Sequence, residues 1–499
     1  MKKAFSIIGI ILIASGKLFS QGYYNHTWLL GNFFFLQDPK GRMVIDSAGY
    51  THSVEYRKMP FLGTEATICD AQGNFLMSTN GIWIANANND TMMNGAGLNP
   101  GGVTGSWPYG LPMSSNAVFL PYPGDSTKYV LFHHTAVSNG SYYPAYDLLY
   151  TVIDITGDSG LGEVITKNQV VFSDTLGWGI ASCKHANGRD WWIAVQKDNS
   201  DVVFSLLFTP DGIDTVLTQQ LNVTPSLGST RQISFSPDGN KFVTNKTDGG
   251  AIIDNFVQIL DFDRCTGVFS NPHEVDVSNG GIGWGLCFSP TTKFVYTCSS
   301  SKVYQIDLST YVADTIATYD GFISPPNLTC CATSFWNMYL AANGKIYITS
   351  GSSVQHIHEM NYPDSAGVAC DLQQHAIDLG SYLHLRAVPN HPNYNLGPVV
   401  GSVCDTLGVG LPEMQHDFHF GISPNPVAEG PVKIIYLLPE NKSGIFEVYN
   451  MTGQLVYKMN LPPWSTLQYV DLPELSEGVY TAVVRSGYER SVKKLVIVR

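Results

Sequence analysis

The sequence predicts an all-β protein: a β-propeller followed by a small Ig-like β-sandwich. Three observations carry this. Short apolar strands separated by Asp, Asn, Gly or Pro turns fill the chain, with no sustained 3.6-residue pattern. A strand-turn-strand unit recurs at roughly 50-residue spacing, a period that suits four-stranded blades. Near residues 401–420 the pattern stops, and a compact set of strands occupies the remaining length.

Composition agrees with this class. The 499 residues are 44% hydrophobic and 12% aromatic, enough for a large core, and only 14% charged. Net charge is −13, and it is uneven. Residues 419–499 hold 8 basic and 7 acidic side chains, residues 1–20 hold three lysines and no acid, and the region between holds 17 basic and 34 acidic. No basic tract or face is present, so nucleic acid is not an expected partner.

The first element is an export signal over residues 1–20. Lys2 and Lys3 precede the apolar run AFSIIGIILIASG, which is short for a membrane span and gives way to polar sequence. No later run is long enough to span a membrane, so the mature chain is expected to have no transmembrane segment. Nine cysteines follow, an odd number, so at least one stays unpaired within a monomer. Cys287 and Cys298 flank one hairpin and are expected as cross-strand neighbours. Cys330 and Cys331 read as two separate thiols.

The body, residues 21–403, is read as the propeller. Its units begin near residues 66, 117, 181, 232, 285 and 338, as in QISFSPDGNKFVTN and MYLAANGKIYITS. The turns supply the φ > 0 positions that hairpins need, and the flanks are β-branched or aromatic. A seventh unit is expected from YLHLRAV (382–388) closing against WLLGNFFFLQ (28–37), protecting both edges. Seven blades are expected, with six or eight as alternatives. SFSPDGNKFV followed by VQILDFDRCTG resembles the blades of WD-repeat-like and YVTN-type bacterial propellers. With CKHANGRDWWIAV and HPNYNLGPVVGS, the body resembles a propeller region of secreted Bacteroidetes proteins.

Residues 404–419 read as a linker, and residues 420–499 as the sandwich. This last module resembles the C-terminal sorting domain of the type IX secretion system. The matching residues are Pro424, Asn425 and Pro426, Gly453 in VYNMTGQLVY, Gly478 and Tyr480 in LSEGVYTAVV, and Lys493 and Lys494 in the terminal VKKLVIV. The resemblance implies the type IX machinery as a partner, passage through the periplasm and outer membrane, and release or surface attachment.

No compact catalytic motif appears: no GxSxG, HExxH, Walker loop, GxGxxG or EF-hand. No cofactor is called for. His356 and His358 lie two apart on one strand, so they share a face and could hold a metal; a polar outer face or channel wall is the commoner alternative. His185, beside a turn, is expected to bond to backbone. Asp238 reads as a turn cap rather than a calcium ligand. Trp191 and Trp192 are adjacent, and one ring of the pair is expected in the core.

The aromatic stretches VTGSWPYGLP and NGSYYPAY are the candidate ligand site. Trp107, Tyr109, Tyr142, Tyr143 and Tyr146 offer flat apolar faces with polar handles. They would stack on sugar rings or anchor a protein; the alternative is that they cover blade ends. Asp-Ser/Thr followed by an apolar residue or Thr resembles the O-glycosylation acceptor of secreted Bacteroidetes proteins. It occurs at Asp46, Asp90, Asp125, Asp174, Asp214, Asp314, Asp364 and Asp405. The reading is an exported binding or scaffold propeller for a glycan or protein, with a hydrolase or lyase acting on polysaccharide or peptide as the alternative.

Overall fold

The computed structural model describes residues 22–32, 38–138, 140, 143–225, 232–247, 255–277, 285–325, 331–405, 420–428, 430–436, 438, 442–463, 465–486 and 489–498. The expected export signal lies outside them. The chain forms two compact units, Met1–Gly408 and Val409–Arg499.

The first unit contains seven blades among the described residues. Blade 1 is Thr27–Leu30, Lys40–Asp46 and Gly49–Glu55. Blade 2 is Ala66–Cys69, Phe75–Thr79, Trp83–Ala85 and Thr91–Ala96. Blade 3 is Ala117–Pro121, Lys128–Ala136, Ala145–Asp154 and the first part of Glu163–Lys184. That 22-residue strand pairs first with Ala145–Asp154 and then with Trp191–Lys197. It is therefore the outermost strand of blade 3 and the innermost strand of blade 4. Val202–Thr209 and Gly212–Gln220 complete blade 4. Blade 5 starts at Ser234–Phe235, blade 6 at Leu286–Phe288 and blade 7 at Phe335–Leu340, each a four-stranded antiparallel sheet.

Each blade stacks on its neighbours, so the central strands bury both faces. Apolar clusters fill successive seams: Leu29 and Phe61 against Ala85, Phe132 against Trp191, Trp192 against Phe235, Ile259 against Phe288, Tyr296 against Met338, and Tyr347 against Trp28. The last of these joins blade 7 to blade 1 and closes the ring. The adjacent tryptophans show why alternation fails as a guide here. Both are buried, Trp191 in the blade 3 cluster and Trp192 in the blade 5 cluster. The expectation of one core ring is corrected to two, because a blade flanked by blades has no solvent face.

Closure also differs in detail from the expected mixed sheet. Residues 382–388 do lie beside the start of the chain. The His384 ring meets Trp28 edge-on at 5.9 Å, and Nδ1 accepts from Gly31 N at 3.3 Å. Residues 33–37 of the expected partner lie outside the described residues; among the described ones, 382–388 add no ladder strand to blade 1, and their one bridge joins His384 to Val354 of blade 7. Arg386 sits at φ 58° and Pro389 follows, which breaks the extended run. Side-chain packing closes the ring instead, with Tyr382 and Val388 in the same cluster as Trp28 and Tyr347. Within blade 1, buried Arg57 donates to the carbonyls of Leu30 and Gly41 at the end of the first two strands, and to Met59 O in the segment that follows.

The second unit has two antiparallel sheets around one core. Phe420–Ser423, Val432–Tyr436 and Leu467–Val470 form one; Leu455–Leu461, Gly444–Tyr449, Gly478–Ser486 and Glu489–Ile497 form the other. Phe446, Val448, Ala482, Val484 and Leu495 are fully buried between them. This is the predicted sandwich.

Candidate functional site

Innermost strands expose backbone groups to the propeller channel, and those groups need partners. Residues 389–399 supply many of them by crossing the channel as a strap. Asn390 Nδ2 donates to Ile180 O at 2.7 Å, with the carbonyls of Ser115 and Ala117 at 3.3 Å. His391 Nε2 donates to Thr67 O at 2.8 Å, so Nδ1 accepts from Tyr339 Oη at 2.9 Å. Burial lowers the His391 pKa to about 4, and the ring stays neutral. Asn393 donates to Pro237 O, Tyr394 to Phe119 O, and Val399 N to Ala186 O, each at 2.8 Å. Proline at 389 and 392 bars ladder pairing there, and asparagine side chains replace the lost backbone donors. A disulfide between Cys265 of blade 5 and Cys404 fastens the far end.

The strap leaves part of the channel open. A cavity of about 420 Å³ remains between it and the innermost strands of blades 4 to 7. Among the described lining residues there is no Asp, Glu, Lys or Arg. Gln232 spans the strands at its wall: Oε1 accepts from Leu286 N and Met338 N at 3.2 Å, and Nε2 donates to Met338 O. Sequence reading missed the strap, although HPNYN, with two prolines or asparagines on either side of His391, is the signal for non-ladder backbone.

The aromatic candidates separate into two groups. Trp107 follows the short helix Gly102–Ser106 and meets the Tyr143 ring edge-on at 6.0 Å. Trp178 Nε1 donates to Tyr143 O at 2.7 Å and holds that residue's backbone. Tyr143 and Tyr146 line a groove of about 440 Å³ with Val103, Thr135, Val137 and Asp147. Tyr146 is 41% exposed. Tyr109 is also exposed but is not among the groove's described lining, and Tyr142 lies outside the described residues.

The histidines serve structure. His358 is fully buried; Nε2 donates to Thr333 O at 2.8 Å and Nδ1 accepts from His375 N at 2.9 Å. Both ring nitrogens are used, which leaves no lone pair for a metal. His356 Nδ1 bonds to Ser324 Oγ at 2.6 Å. Among the described residues no three His, Cys, Asp or Glu converge on a metal-binding point. His185 accepts from Asn187 N and meets Cys265 O, both backbone groups. Asp238 caps its turn by accepting from Asn240 N at 3.1 Å. Cys287 is in register with Tyr296 across its hairpin, with Cys298 near enough to act on it electrostatically, and both cysteines are buried. Cys331 is buried, and Cys330 lies outside the described residues.

In the sandwich, the Pro424–Pro426 motif lies along the terminal strand. Asn425 Nδ2 donates to Lys494 O, and Val427 N donates to Val496 O. Gly453 sits at φ 78° in a turn capped by Asn450, whose Oδ1 accepts from Thr452 N and Gln454 N. Tyr480 Oη donates to Ser476 O at 2.9 Å, and Gly478 opens the strand that carries it. Lys493 and Lys494 are exposed.

Residues 421–498 match the family of the secretion system C-terminal sorting domain. No curated protein sequence matches the chain. Among solved structures, a quinoprotein alcohol dehydrogenase-like protein from Bacteroides thetaiotaomicron shares 12% identity, covering 73% of this chain and 77% of that one, with a TM-score of 0.36. The Dos1 propeller shares 10% over 66% and 74%, at 0.34. A functionally unknown protein from Desulfotomaculum acetoxidans shares 11% over 73% and 99%, at 0.36. Likeness at these scores carries no inference, and the propeller rests on its own sheets and seams. No helix among the described residues is long and apolar enough to cross a membrane. The chain is therefore a β-propeller protein that bears a secretion system C-terminal sorting domain, which directs it to secretion or to attachment at the outer-membrane surface.

Proposed function

We propose that this is an exported binding propeller whose groove at Tyr143 and Tyr146 takes a glycan. The carrying observation is that groove: two tyrosines and the Asp147 carboxylate around about 440 Å³, a size usual for ligand sites. Trp107 and Trp178 brace Tyr143 from behind, so its ring is positioned before a ligand arrives. Rings with a polar edge suit sugars, which present C–H faces and hydroxyl rims.

The test is glycan-array binding by the secreted protein, with Tyr146→Ala and Tyr143→Phe compared. Tyr146→Ala removes an exposed ring, so binding falls while the unfolding transition stays in place. Tyr143→Phe keeps the stacking face and loses only the hydroxyl. Unchanged array binding by Tyr146→Ala removes the groove from the site.

A further inference from the structure

We infer that the Arg386 guanidinium, stacked on Trp336 where residues 382–388 pass the start of blade 7, is a binding site for a small carboxylate. The site is separate from the groove at Tyr143 and Tyr146 and does not depend on it.

The first observation is how firmly Arg386 is held. It runs beside the turn between the second and third strands of blade 7, Ile346–Ser350 and His356–Met360. Its φ of 58° is uncommon for a residue with a side chain, and such backbone persists only where its surroundings over-determine it. Arg386 N donates to Ser350 O at 3.0 Å, and its carbonyl accepts from Thr349 Oγ1 at 2.8 Å and from Asn337 Nδ2 at 3.0 Å. Asn337 Nδ2 also donates to Ser114 Oγ at 2.9 Å, at the entry to blade 3. The side chain is fixed too. Nε donates to Gly351 O at 3.2 Å, and the guanidinium lies 4.8 Å from the centre of the Trp336 ring.

The second is a missing counter-charge. The other described arginines of this unit are satisfied. Arg42 and Arg189 pair with Glu55 and Asp190, while Arg57 and Arg264 each donate to three backbone carbonyls. Arg386 meets one carbonyl, and among the described residues no carboxylate acts on it. Acids are not scarce: residues 21–418 hold 34 against 17 basic side chains. Burial lowers the Arg386 pKa with nothing opposing it. A half-buried charge left without a partner is costly. Its terminal amino groups make no hydrogen bond within the protein, and they are not sealed from solvent. An entering anion can reach them.

The third is the chemistry of what remains. With Nε engaged, the open edge of the guanidinium offers parallel N–H groups, a fork that fits the two oxygens of a carboxylate. No second cation among the described residues acts on Arg386, so the site holds one positive charge. That balances a monoanion. A phosphate dianion would keep an uncompensated charge in a partly desolvated place. The fork is set by the indole and by Gly351 O before a ligand arrives.

The test follows the arginine Nε–H resonances of the full secreted chain carrying isotope-labelled arginine. Acetate, glucuronate, methyl sulfate, inorganic phosphate and glucose are titrated at constant ionic strength, and Arg386→Met identifies the Arg386 signal by its loss. Acetate and glucuronate should move that signal saturably, methyl sulfate and phosphate should bind at least about threefold more weakly, and glucose should not move it. Affinity in the variants is read from the rise of the unfolding midpoint with acetate. Arg386→Met keeps a stem to pack on Trp336 and should weaken acetate binding at least about tenfold, the usual worth of one charge-assisted hydrogen bond. Arg386→Lys keeps the charge without the fork and should fall between. Tyr146→Ala should bind acetate like the parent. The inference is overturned if no carboxylate gives a saturable shift at Arg386, if methyl sulfate or phosphate binds as tightly, or if Arg386→Met binds like the parent. Should Arg386→Met fail to fold, parent-like binding by Arg386→Lys overturns it. Loss of acetate binding in Tyr146→Ala assigns the anion to the groove and likewise overturns it.

Discussion

Asn425 joins the two ends of the sorting domain: its Nδ2 donates to the carbonyl of Lys494 at 2.6 Å, across 69 residues of sequence. Its Oδ1 also accepts from Val496 N at 2.9 Å. One side chain thus acts as a short edge strand along the terminal strand. Asn425→Ala should cost the module about 1–3 kcal/mol, the range for losing paired backbone partners. The check is limited proteolysis of the full chain together with the fraction of protein reaching the medium or cell surface. Faster cleavage within residues 420–499 and lower export are expected. Parent-like values for both would show that the motif is held by other contacts.

The Cys265–Cys404 disulfide closes a loop of 139 residues and anchors the strap after it has crossed the channel. Long loops gain most from cross-linking in the chain-entropy view, typically about 2–4 kcal/mol. Cys265→Ser with Cys404→Ser should lower the denaturant midpoint of the first unit. Hydrogen exchange should rise at Val399, whose amide bonds to Ala186 O near the free end, before it rises at His391, which is held by two blades. Uniform protection along the strap after the substitution would show that the bond adds little.

Much of the propeller was legible, and the illegible parts share a cause. Unit starts near residues 66, 117, 232, 285 and 338 correspond to innermost strands, because hairpin turns such as SPDG and AANG are local chemistry. The mode of closure was not legible. Blade 1 and residues 382–391 meet through His384 on Trp28 and Gly31, and no local pattern encodes a contact across more than 300 residues. Trp191 and Trp192 were misread because alternation assumes one wet face, and a stacked blade has none. Of the aromatic candidates, Tyr143 and Tyr146 line one groove, and Trp107 packs against the Tyr143 ring. The strap was invisible: residues 389–399 carry no strand pattern, and the groups they bond lie on blades distant in sequence.

Buried neutral histidines make the propeller acid-sensitive. Burial lowers His358, His384 and His391 to about 4, and His133 and His134 to about 3. In the unfolded chain each would titrate near 6.5. Between those values the unfolded state binds the extra protons, so stability is full above about pH 6.5 and falls as pH drops toward 4. The groups expected to titrate near His391 in the native fold are few: its ring faces Thr67 and Tyr339, and burial raises Tyr339 well out of range. His391→Gln keeps a donor and an acceptor but cannot charge. It should cost stability at pH 7.5 yet flatten the decline between pH 6.5 and 4.5. Parallel pH profiles for variant and parent would assign the acid limb to the other histidines.

The eight Asp-Ser/Thr motifs lead to the last prediction. Ser47, Thr91, Ser126 and Thr315 are exposed, while Thr175, Thr215 and Ser365 are half-buried; Thr406 lies outside the described residues. None of the seven described hydroxyl residues sits in the core, although the surrounding blades bury most of their strands on both faces. A glycan on an exposed hydroxyl adds bulk to solvent and displaces no packing. Protein purified from its native host should therefore exceed the mass of the bare processed chain by several equal steps. Ser126→Ala should remove one step without moving the unfolding transition, because Ser126 is a turn residue outside every strand. A mass equal to the bare chain would mean that these motifs are only turn chemistry, with Asp125 accepting from Thr127 N and Thr127 Oγ1 as it does in the fold.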